Sequence, residues 1–367
     1  MTKDLLHHFS DIQEPRKGKN ISYSLESILF ITVCAVFSGC TDWEEIEEYG
    51  NIKIDWLRRF VALPNGIPSH DTFNRIFAML EPKQLQICFI GWVQSIVQQS
   101  PYSLINIDGK RLCNAGEGGK KSFIHLVNAW SSDNELILGQ IKVDSKSNEI
   151  TAIPQLLDLL ELEGAIVSID AMGCQTDIAH KIIEKQGNYL LAVKGNQGYL
   201  HDDLKEAFKE EKAVQTHTIS NVAHGRIEKR TCSIIKNTSW ISRQQDWQDV
   251  KSLVCIISER TNKQTLEMQQ EQRFYIASFD ATPQRMNGLV RGHWSIENQL
   301  HWSLDVIFNE DKSTKQAGNA AENMSLINKC VLSILKNDKT RKGSIKRKRN
   351  ACGWDNEYLV TVLTRNF

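Results

Sequence analysis

The feature that most constrains this 367-residue chain is a set of three acidic residues that stand far apart in the sequence, each in a different setting. Asp108 ends the apolar run 104–107 and Asp170 ends the apolar run 165–169, so both are predicted at strand ends. Glu297 lies in a segment that is predicted to be helical. A sheet that presents two strand ends side by side, with a helix packed against them, would gather the three carboxylates at one edge.

Three carboxylates gathered in this way are suited to binding divalent metal ions for phosphodiester chemistry. Hard cations such as Mg²⁺ prefer oxygen ligands and keep water or substrate in their remaining positions. Two such ions about 3.5–4 Å apart neutralise charge on both the attacking and the leaving oxygen. The alternative for each aspartate, taken singly, is an ordinary turn residue, and for Glu297 it is an exposed glutamate on a helix surface.

The composition is that of a folded protein without a strong overall charge. Hydrophobic residues make up 41% and charged residues 24% of the chain, which is typical of a globular protein with two or three folded units. Lys+Arg and Asp+Glu both number 44, and this balance argues mildly against nucleic-acid binding, which depends on phosphate neutralisation. Residues 336–349, however, contain eight basic residues and one acid. Residues 336–367 are therefore predicted to form a basic C-terminal tail that either contacts DNA or is simply solvated.

Cysteine usage and hydropathy indicate where such a chain would reside. The nine cysteines show no CxxC spacing, so we expect reduced thiols in a cytosol-like compartment and no zinc site. The most apolar segment, 28–40, is too short to cross a bilayer, which takes about 20 residues. Residues 1–19 lack the apolar core of a secretory signal. We therefore expect neither a membrane anchor nor export.

The spacing of apolar residues divides the chain into a helical first part and a mixed second part. Residues 1–100 are predicted to form an all-α N-terminal domain with a possible role in DNA binding. Ser24 is predicted to cap its first long helix, and Thr41 with Glu44 to cap the next. The predicted helices cover residues 25–37, 42–49, 54–61, 70–80 and 82–98.

The turn at 64–68 lies between two predicted short helices and suggests a helix-turn-helix interpretation. In that interpretation residues 69–75 begin the helix that contacts DNA. The alternative is ordinary packing, because the same helix carries an apolar stripe. The stripe consists of Phe73, Ile76, Phe77 and Leu80.

Residues 101–335 are predicted to form a mixed α/β domain that holds the three carboxylates. Its predicted strands cover 104–108, 122–130, 135–142, 165–170 and 189–194, and its predicted helices cover 150–160, 176–185, 199–212, 289–308 and 319–335. The order of three strands, helix, strand, helix and strand matches a ribonuclease H-like mixed sheet with helices. A β-rich insertion at about 215–280 is expected to belong to this domain. Its predicted strands cover 226–236, 250–258 and 273–279.

Basic and amide side chains near the carboxylates are candidates for contacts with DNA phosphates. Lys110 follows Asp108 by two positions and would lie on the same strand face; a solvated turn lysine is an equal alternative. Lys194 and Asn196 follow a predicted strand at the same sheet edge, where a cation and an amide suit phosphate oxygens. The alternative there is a polar turn.

Glu297 shares one face of its predicted helix with His293 and His301. Zinc binding by these residues is not expected because the HExxH order is missing, and His301 is predicted to orient or contact DNA, or to pack. Asp305 is the main rival of Glu297, but it would lie about 12 Å farther along the helix at about 1.5 Å per residue, too far to share one ion. The full set of predicted DNA-binding residues is Lys110, Lys194, Asn196, Arg291, His301, Lys346, Arg347, Lys348 and Arg349.

Taken together, these motifs resemble the bacterial insertion-sequence transposases of the H-repeat-associated group, within the Asp-Asp-Glu superfamily. The resemblance covers nearly the whole chain. In the N-terminal part it is carried by DIQEPR at 11–16, DWEEI at 42–46 and NGIPSHDTF at 65–73. In the second part it is carried by IDGK at 107–110, DAMGCQ at 170–175, VKGNQ at 193–197, HGRIE at 224–228 and RGHWSIEN at 291–298.

The resemblance implies that Asp108, Asp170 and Glu297 are the catalytic, metal-binding triad, with Mg²⁺ as the cofactor and Mn²⁺ as a substitute. It implies cleavage of double-stranded DNA at the ends of an insertion sequence, with water as the first nucleophile. Strand transfer into target DNA by a 3′-hydroxyl would follow. A homodimer on DNA would pair two ends, and a cytoplasmic, nucleoid-associated location in a bacterium is expected.

The chain departs from related transposases in one respect. Those enzymes often place Tyr, Arg and Lys seven before, four before and seven after the glutamate, whereas this chain has Val290, His293 and Leu304. An excision route through DNA hairpins that relies on that signature is therefore not expected. The alternatives to a transposase are a metal-dependent nuclease of the same fold without strand transfer, and a non-catalytic DNA-binding protein derived from a transposase.

Overall fold

A computed structural model describes residues 3–18, 21–96, 104–113, 123–144, 147–212, 214–223 and 225–364. The mixed α/β fold class predicted from the sequence, with a helical region before a mixed sheet, is confirmed. His224 of the HGRIE motif lies outside the described residues, as do the predicted helix end at 98 and strand start at 122.

The first part of the chain folds into helices α1 Lys3–Ser10, α2 Leu25–Phe37, α3 Trp43–Leu57, α4 His70–Met79 and α5 Pro82–Ile96. Ser24 caps α2 as predicted, because its hydroxyl accepts a hydrogen bond from the Ser27 N–H. The cap of α3 is Asp42 rather than Thr41: the Asp42 carboxylate accepts from the Glu45 N–H at 2.8 Å. The Glu45 carboxylate in turn accepts from the Thr41 N–H, so the capping box is real but displaced by one residue.

Helix α4 packs through the apolar stripe that its sequence predicts. Phe73, Ile76, Phe77 and Leu80 are all buried. At its start, the ring and the backbone N–H of His70 both contact the Glu47 carboxylate of α3. The buried stripe does not test the helix-turn-helix interpretation, because DNA would contact the opposite, outer face of α4. That interpretation therefore stays a prediction.

The second part is built on a sheet that, within the described residues, has nine strands in the order β3-β2-β1-β4-β5-β9-β8-β7-β6. Strands β1, β2 and β3 form the predicted antiparallel meander, and β4 and β5 run parallel to β1. The strands are β1 Leu104–Leu112, β2 Ile124–Ser131, β3 Leu136–Lys142, β4 Ile166–Ile169, β5 Asn188–Val193, β6 Gln215–Ala223, β7 Arg226–Ile235, β8 Ser252–Asn262 and β9 Met268–Ala277. Helix α6 Glu149–Asp158 connects β3 to β4, and α7 Thr176–Glu184 connects β4 to β5.

The β-rich insertion extends this sheet outward. Helix α8 Gly198–Glu210 leads into it, and β9 then pairs antiparallel with β5, so the insertion strands continue the core sheet. The ends of these strands near the core are buried, whereas their far ends are exposed: β9 changes from exposed at 268–272 to buried at 274–277. Strand β6 is missing from the sequence prediction because most of its residues are polar and its apolar residues do not alternate.

The segment that carries Glu297 is not one regular helix over 289–308. Helix α9 Pro283–His293 comes first, a π-helical turn Ile296–His301 follows, and α10 Trp302–Ile307 continues from it. Helix α11 Ala320–Asn337 then packs between the helical region and the sheet, because it contacts α4, α5 and β3. No described helix is long and apolar enough to cross a membrane.

The predicted basic tail is instead folded into α12 Ile345–Trp354 and α13 Asn356–Thr364. The Arg349 guanidinium is buried and donates to the carbonyl oxygens of Val36, Cys40 and Ile307. The Lys348 ammonium is also buried and donates to the carbonyl oxygen of Leu335 at 2.8 Å.

The prediction that Lys348 and Arg349 bind DNA is therefore wrong. Backbone carbonyls at the C-terminal ends of α2 and α11 lack partners within their own helices, and these two cations supply the donors. Lys346 and Arg347 on the same helix are exposed, so a DNA contact by these two stays a prediction.

Candidate active site

The register of the sheet brings Asp108 and Asp170 side by side. The parallel pairing of β1 with β4 ends at the rung Ile107–Ile169, and each aspartate is the next residue in its chain. Neighbouring strands lie about 4.8 Å apart, so the two carboxylates emerge from adjacent positions at one edge. The sequence predicted Asp108 at the end of a strand, but β1 continues beyond it to Leu112 by pairing with β2.

The carboxylate of Asp170 is fixed by the turn that follows it. Its Oδ1 accepts from the N–H of Met172 at 3.0 Å and of Gly173 at 3.4 Å. The pKa of Asp170 is nevertheless raised, mainly by burial and next by the Glu149 carboxylate. The positive charge of Lys194, which is exposed, acts on the pKa in the opposite direction.

Asn196 supports the same turn from the neighbouring loop. Its side-chain N–H donates to the Ala171 carbonyl oxygen at 2.7 Å, directly after Asp170. The adjacent Gln197 donates to the Cys174 carbonyl oxygen at 2.8 Å. The KGNQ motif therefore holds the Asp170 turn in place, while Lys194 and Asn196 remain exposed at the sheet edge where DNA contacts are predicted.

Asp108 experiences the charges of both other predicted triad residues. Its pKa is raised to about 8, first by burial and then by the carboxylates of Asp170 and Glu297. Glu297 itself is exposed on the π-helical turn. Such turns occur frequently at functional sites, because the extra residue redirects side chains from the regular helix spacing. The structure thus places Asp108 where the charges of both other carboxylates act on it.

Lys110 and Asp305 pair with each other close to this cluster. The Lys110 ammonium forms an ion pair with Asp305 and lies 3.8 Å from the Asp311 carboxylate. Lys110 is only 6% exposed, so the prediction that it contacts DNA is wrong for this arrangement. The π-helical turn contacts β1, and Asp305 of the following α10 is paired with Lys110. This pairing favours Glu297 over Asp305 as the third carboxylate.

His301 lies against Asp108 rather than in solvent. Its Nδ1 is 3.5 Å from Asp108 Oδ2, and its side chain is only 12% exposed. The pKa of His301 is lowered to about 3, first by burial and then by the Lys110 and Lys329 charges, so the ring is neutral at pH 7. Of the roles predicted for His301, this position favours orienting the Asp108 carboxylate over a direct DNA contact.

A buried polar network lies directly behind the carboxylates. Asn106 stands two residues before Asp108 on β1, and Ser168 stands two residues before Asp170 on β4. The Ser168 hydroxyl donates to the Asn106 side-chain oxygen at 2.7 Å. The Asn106 side-chain nitrogen donates to the hydroxyl oxygen of Ser295 at 3.1 Å. Ser295 stands two residues before Glu297.

The same network reaches the helix that leads to Glu297. The Asn106 side-chain nitrogen lies 3.0 Å from the Gly292 carbonyl oxygen. The Nδ1 of His293 lies 2.8 Å from the Ser168 oxygen. Because the Ser168 proton is directed at Asn106, His293 acts as the donor in this contact. The pKa of His293 is lowered to about 4, mainly by burial, so a neutral ring makes this bond.

Sequence reasoning missed this network, although one signal for it was present. Asn106 and Ser168 are polar residues inside otherwise apolar strands, and a buried polar side chain needs a partner. Their spacing of two from each aspartate places them on the same strand face as the carboxylate. Their partners on the segment before Glu297 could not be found from the sequence, because they depend on how α9 crosses β1 and β4.

An open groove of roughly 700 Å³ lies on the Glu297 side of the cluster, between α9 and the insertion strands. Arg291, which is predicted to contact DNA, lines this groove and is exposed. The arginines that line it are Arg230, Arg260, Arg273 and Arg291. The groove opens directly beside Glu297 and Asn298.

The donor chemistry of the cluster fits Mg²⁺ or Mn²⁺. The groups are carboxylates, which hard divalent ions prefer, and a cation would relieve the repulsion that raises the pKa of Asp108. Within the described residues no three His, Cys, Asp or Glu side chains are close enough to hold an ion as they stand. Binding of one ion by all three carboxylates would require them to move closer together. The nine cysteines, all within the described ranges, are free thiols.

Comparisons with known proteins identify the family of this chain. Residues 6–93 match the family described as DDE_Tnp_1-associated, and residues 99–334 match the family described as Transposase DDE domain. The "H repeat-associated putative transposase YhhI" of Escherichia coli (strain K12) is 39% identical over 98% of this chain and 98% of its own length. The "Putative transposase YncI" of Escherichia coli O157:H7 is 39% identical over 98% of this chain and 94% of its own length. A shorter protein, "Inactive transposase YbfQ" of Escherichia coli (strain K12), is 39% identical over 20% of this chain and 88% of its own length.

Proposed function

Because this chain belongs to the insertion-sequence transposases with a DDE domain, as its motifs predict, we propose that it is an active DNA transposase. It cleaves double-stranded DNA at the ends of its element and joins the freed 3′-hydroxyl to target DNA. The observation that carries this proposal is the cluster of Asp108, Asp170 and Glu297. Burial of Asp108 and the charges of Asp170 and Glu297 raise the pKa of Asp108 to about 8. A bound cation would offset this repulsion, as is typical of functional sites with perturbed pKa values.

In the proposed mechanism Asp108 and Asp170 would hold Mg²⁺ from neighbouring positions on the sheet, and Glu297 on the π-helical turn would be the third ligand. When bound, Mg²⁺ supplies charge neutralisation for the attacking and leaving oxygens of the phosphodiester. His301 orients the Asp108 carboxylate from behind, and as a neutral ring it adds no charge to the site. Lys194 binds a phosphate oxygen beside Asp170, where its cation is exposed.

The protein acts on two DNA ends, so a homodimer on DNA is part of the proposal. DNA contacts by Lys346 and Arg347 on α12 are also part of it, since both are exposed. A bacterial cytoplasm, with the protein on the nucleoid, is the location that such a substrate requires.

A cleavage and joining assay tests the proposal. The substrate is a duplex of genomic DNA that contains the gene and its flanks, incubated with the protein and Mg²⁺. We expect nicked or excised element ends and joined products from the wild type. Asp170→Ala should fold normally and lose cleavage by several orders of magnitude, because it removes a metal ligand. Asp202→Ala, which removes an exposed carboxylate on α8, is the matched control and should cleave normally.

Each alternative gives a different result in this assay. Cleaved ends without any joined product would indicate a nuclease of the same fold. No cleavage, together with DNA affinity unchanged in a triple mutant of Asp108, Asp170 and Glu297, would indicate a non-catalytic DNA-binding protein. Normal cleavage by Asp170→Ala would disprove the assignment of the site.

A further inference from the structure

We propose that the insertion strands and α9 form a second DNA site beside the carboxylate cluster, in which four arginines bind the phosphodiester backbone next to the cleavage point. We call it the arginine groove and define it by Arg230 on β7, Arg260 on β8, Arg273 on β9 and Arg291 on α9. The inference rests on the proposed function for the identity of its ligand, DNA.

The arginines face one groove because of the sheet register. Arg230 pairs with Ser258 on β8, and Ser258 pairs with Glu271 on β9, so the three form one row across the strands. Arg260 and Arg273 lie two residues from members of this row and therefore share its face. Helix α9 covers one side, where the Asn287 side-chain N–H donates to the Arg230 carbonyl oxygen at 3.4 Å.

The arginines carry more positive charge than their protein partners neutralise. Arg273 is paired with Glu271 at 2.7 Å and lies over the Trp294 ring at 4.4 Å, so its guanidinium is held in position. Arg260 is 3.8 Å from Glu228, which is a loose contact. The ion pairs among the described residues include none for Arg230 or Arg291. Two of the four cations are thus available to an anion.

Arg230 points most directly to a missing ligand. Its Nη1 atom is buried and has no hydrogen-bond partner among the described residues. Burial lowers the pKa of Arg230, and the nearby Arg291 charge lowers it further. A buried guanidinium donor beside like charges is unfavourable in isolation. A phosphate would satisfy the donor and reduce the repulsion, because guanidinium groups bind phosphate oxygens in pairs.

The shape of the groove favours a DNA backbone over a single small anion. A second cleft, lined by Asn221 and Glu228, shares Arg230, Arg260 and Arg291 with the first. The two clefts adjoin through these shared arginines and together form a trough that begins beside Glu297 and extends toward β6 and β7. An open trough of this kind, with cations along it, suits a chain of phosphates. It places the bound backbone within reach of the carboxylate cluster at one end.

Gly288 on α9 gives a clean test, because it lines the groove and a Cβ added there would meet nothing within 4 Å. Gly288→Glu places a carboxylate in the groove without a clash, and Gly288→Ala is the matched control. The probe is a labelled DNA duplex of arbitrary sequence, about three helical turns long, in EDTA so that no cleavage occurs. Affinity is measured by fluorescence anisotropy over a range of salt concentrations, and thermal unfolding checks the fold.

We expect Gly288→Glu to weaken duplex binding by about tenfold or more, and Gly288→Ala to bind like the wild type. Arg260→Gln with Arg291→Gln should weaken binding similarly. The slope of log affinity against log salt should become shallower by about 0.9 for each phosphate that the double variant no longer neutralises. Equal affinity and equal slope for wild type, Gly288→Glu and the double arginine variant would overturn the proposal.

The two proposals fail separately. Weaker duplex binding by Gly288→Glu, in a protein whose wild type never cleaves DNA, keeps the arginine groove and removes the transposase activity. Metal-dependent cleavage by the wild type, with duplex affinity unaffected by Gly288→Glu, keeps the activity and removes the groove.

Discussion

The inner and outer halves of the sheet differ in what surrounds their side chains. The inner strands β1, β4 and β5 are buried over most of their length, and they position the carboxylates through a register fixed by packing. The outer strands β7, β8 and β9 are buried only near the core, and their exposed ends carry arginines. One continuous sheet thus combines a rigid site for chemistry with a charged surface suited to a long anionic ligand.

The comparison implies that the two halves should respond differently to substitution. Changes in the inner half should affect catalysis and stability, because a buried polar group there has no solvent to take the place of a deleted partner. Changes at the exposed ends of the outer half should affect DNA affinity and leave stability nearly unchanged. A variant that breaks this division would show that the two halves do not have separate roles.

The largest effect is expected from the network behind the carboxylates. Ser168→Ala leaves the Asn106 oxygen and the His293 N–H without their partner, which should destabilise the protein by about 1–3 kcal/mol. Because these groups tie together the elements that carry the triad, Mn²⁺ affinity and cleavage rate should fall by about 10–100-fold. Calorimetric Mn²⁺ titration and single-turnover cleavage measure the two effects.

A second buried serine separates positioning from stability. Ser333 on α11 donates to the Lys329 carbonyl oxygen and accepts from the Ile137 N–H, so its partners lie outside the carboxylate cluster. Ser333→Ala should therefore lower stability to a similar degree and leave Mn²⁺ affinity unchanged. Equal decreases of Mn²⁺ affinity in both variants would show that the Ser168 network is structural only.

A smaller effect is expected in the pH dependence of stability. The pKa of Asp108 is raised from 3.8 to about 8 in the fold. The folded protein therefore favours the protonated Asp108 carboxyl. This preference adds to the free energy of unfolding in full below about pH 4, and the contribution is lost as the pH rises through about 8. Asp170 acts in the same direction, because its pKa is also raised.

Thermal unfolding in EDTA across this pH range measures the effect. The wild type should lose stability relative to Asp108→Asn as the pH rises from about 4 to about 8. Mn²⁺ should stabilise the wild type more at pH 8 than at pH 5, because the proton and the metal compete for the same oxygens. Parallel pH profiles for the wild type and Asp108→Asn would contradict the buried, repelling cluster.

The smallest effect is expected at the exposed end of the outer half. Lys229 pairs with Glu259 at 2.9 Å on the surface, on the face of the sheet opposite to Arg230. Lys229→Ala should change the free energy of unfolding by less than about 1 kcal/mol, because exposed ion pairs contribute little. Duplex affinity should stay close to that of the wild type, because Lys229 faces away from the arginine groove. A large decrease in stability would show that this end of the sheet is structural.

The sequence predicted the inner half better than the outer half, for a physical reason. Apolar runs that end in Asp108 and Asp170 specify short buried strands, and the meander follows from their order. The outer strand β6 is polar and exposed, so its pattern does not differ from that of a loop. The π-helical turn at Glu297 depends on tertiary packing and leaves no periodic signal.

Charged residues were predicted least well, because their partners are distant in sequence. Lys110 pairs with Asp305, and Arg349 binds the carbonyl at the end of α2, yet both were predicted to contact DNA. A run of basic residues does not reveal which members face unpaired carbonyls. Arg230, missed entirely, is recognised as a candidate only when the strand register places it beside Arg291.

The most direct test of the central claim is anomalous scattering from a crystal soaked in Mn²⁺, with DNA present. We predict one or two ions bound by both Asp108 and Asp170, with a Glu297 oxygen in the same coordination sphere. That result would place the metal site where the buried inner half of the sheet presents its carboxylates. Asp108 and Asp170 too far apart to share an ion, with no Mn²⁺ peak between them even with DNA bound, would contradict the account.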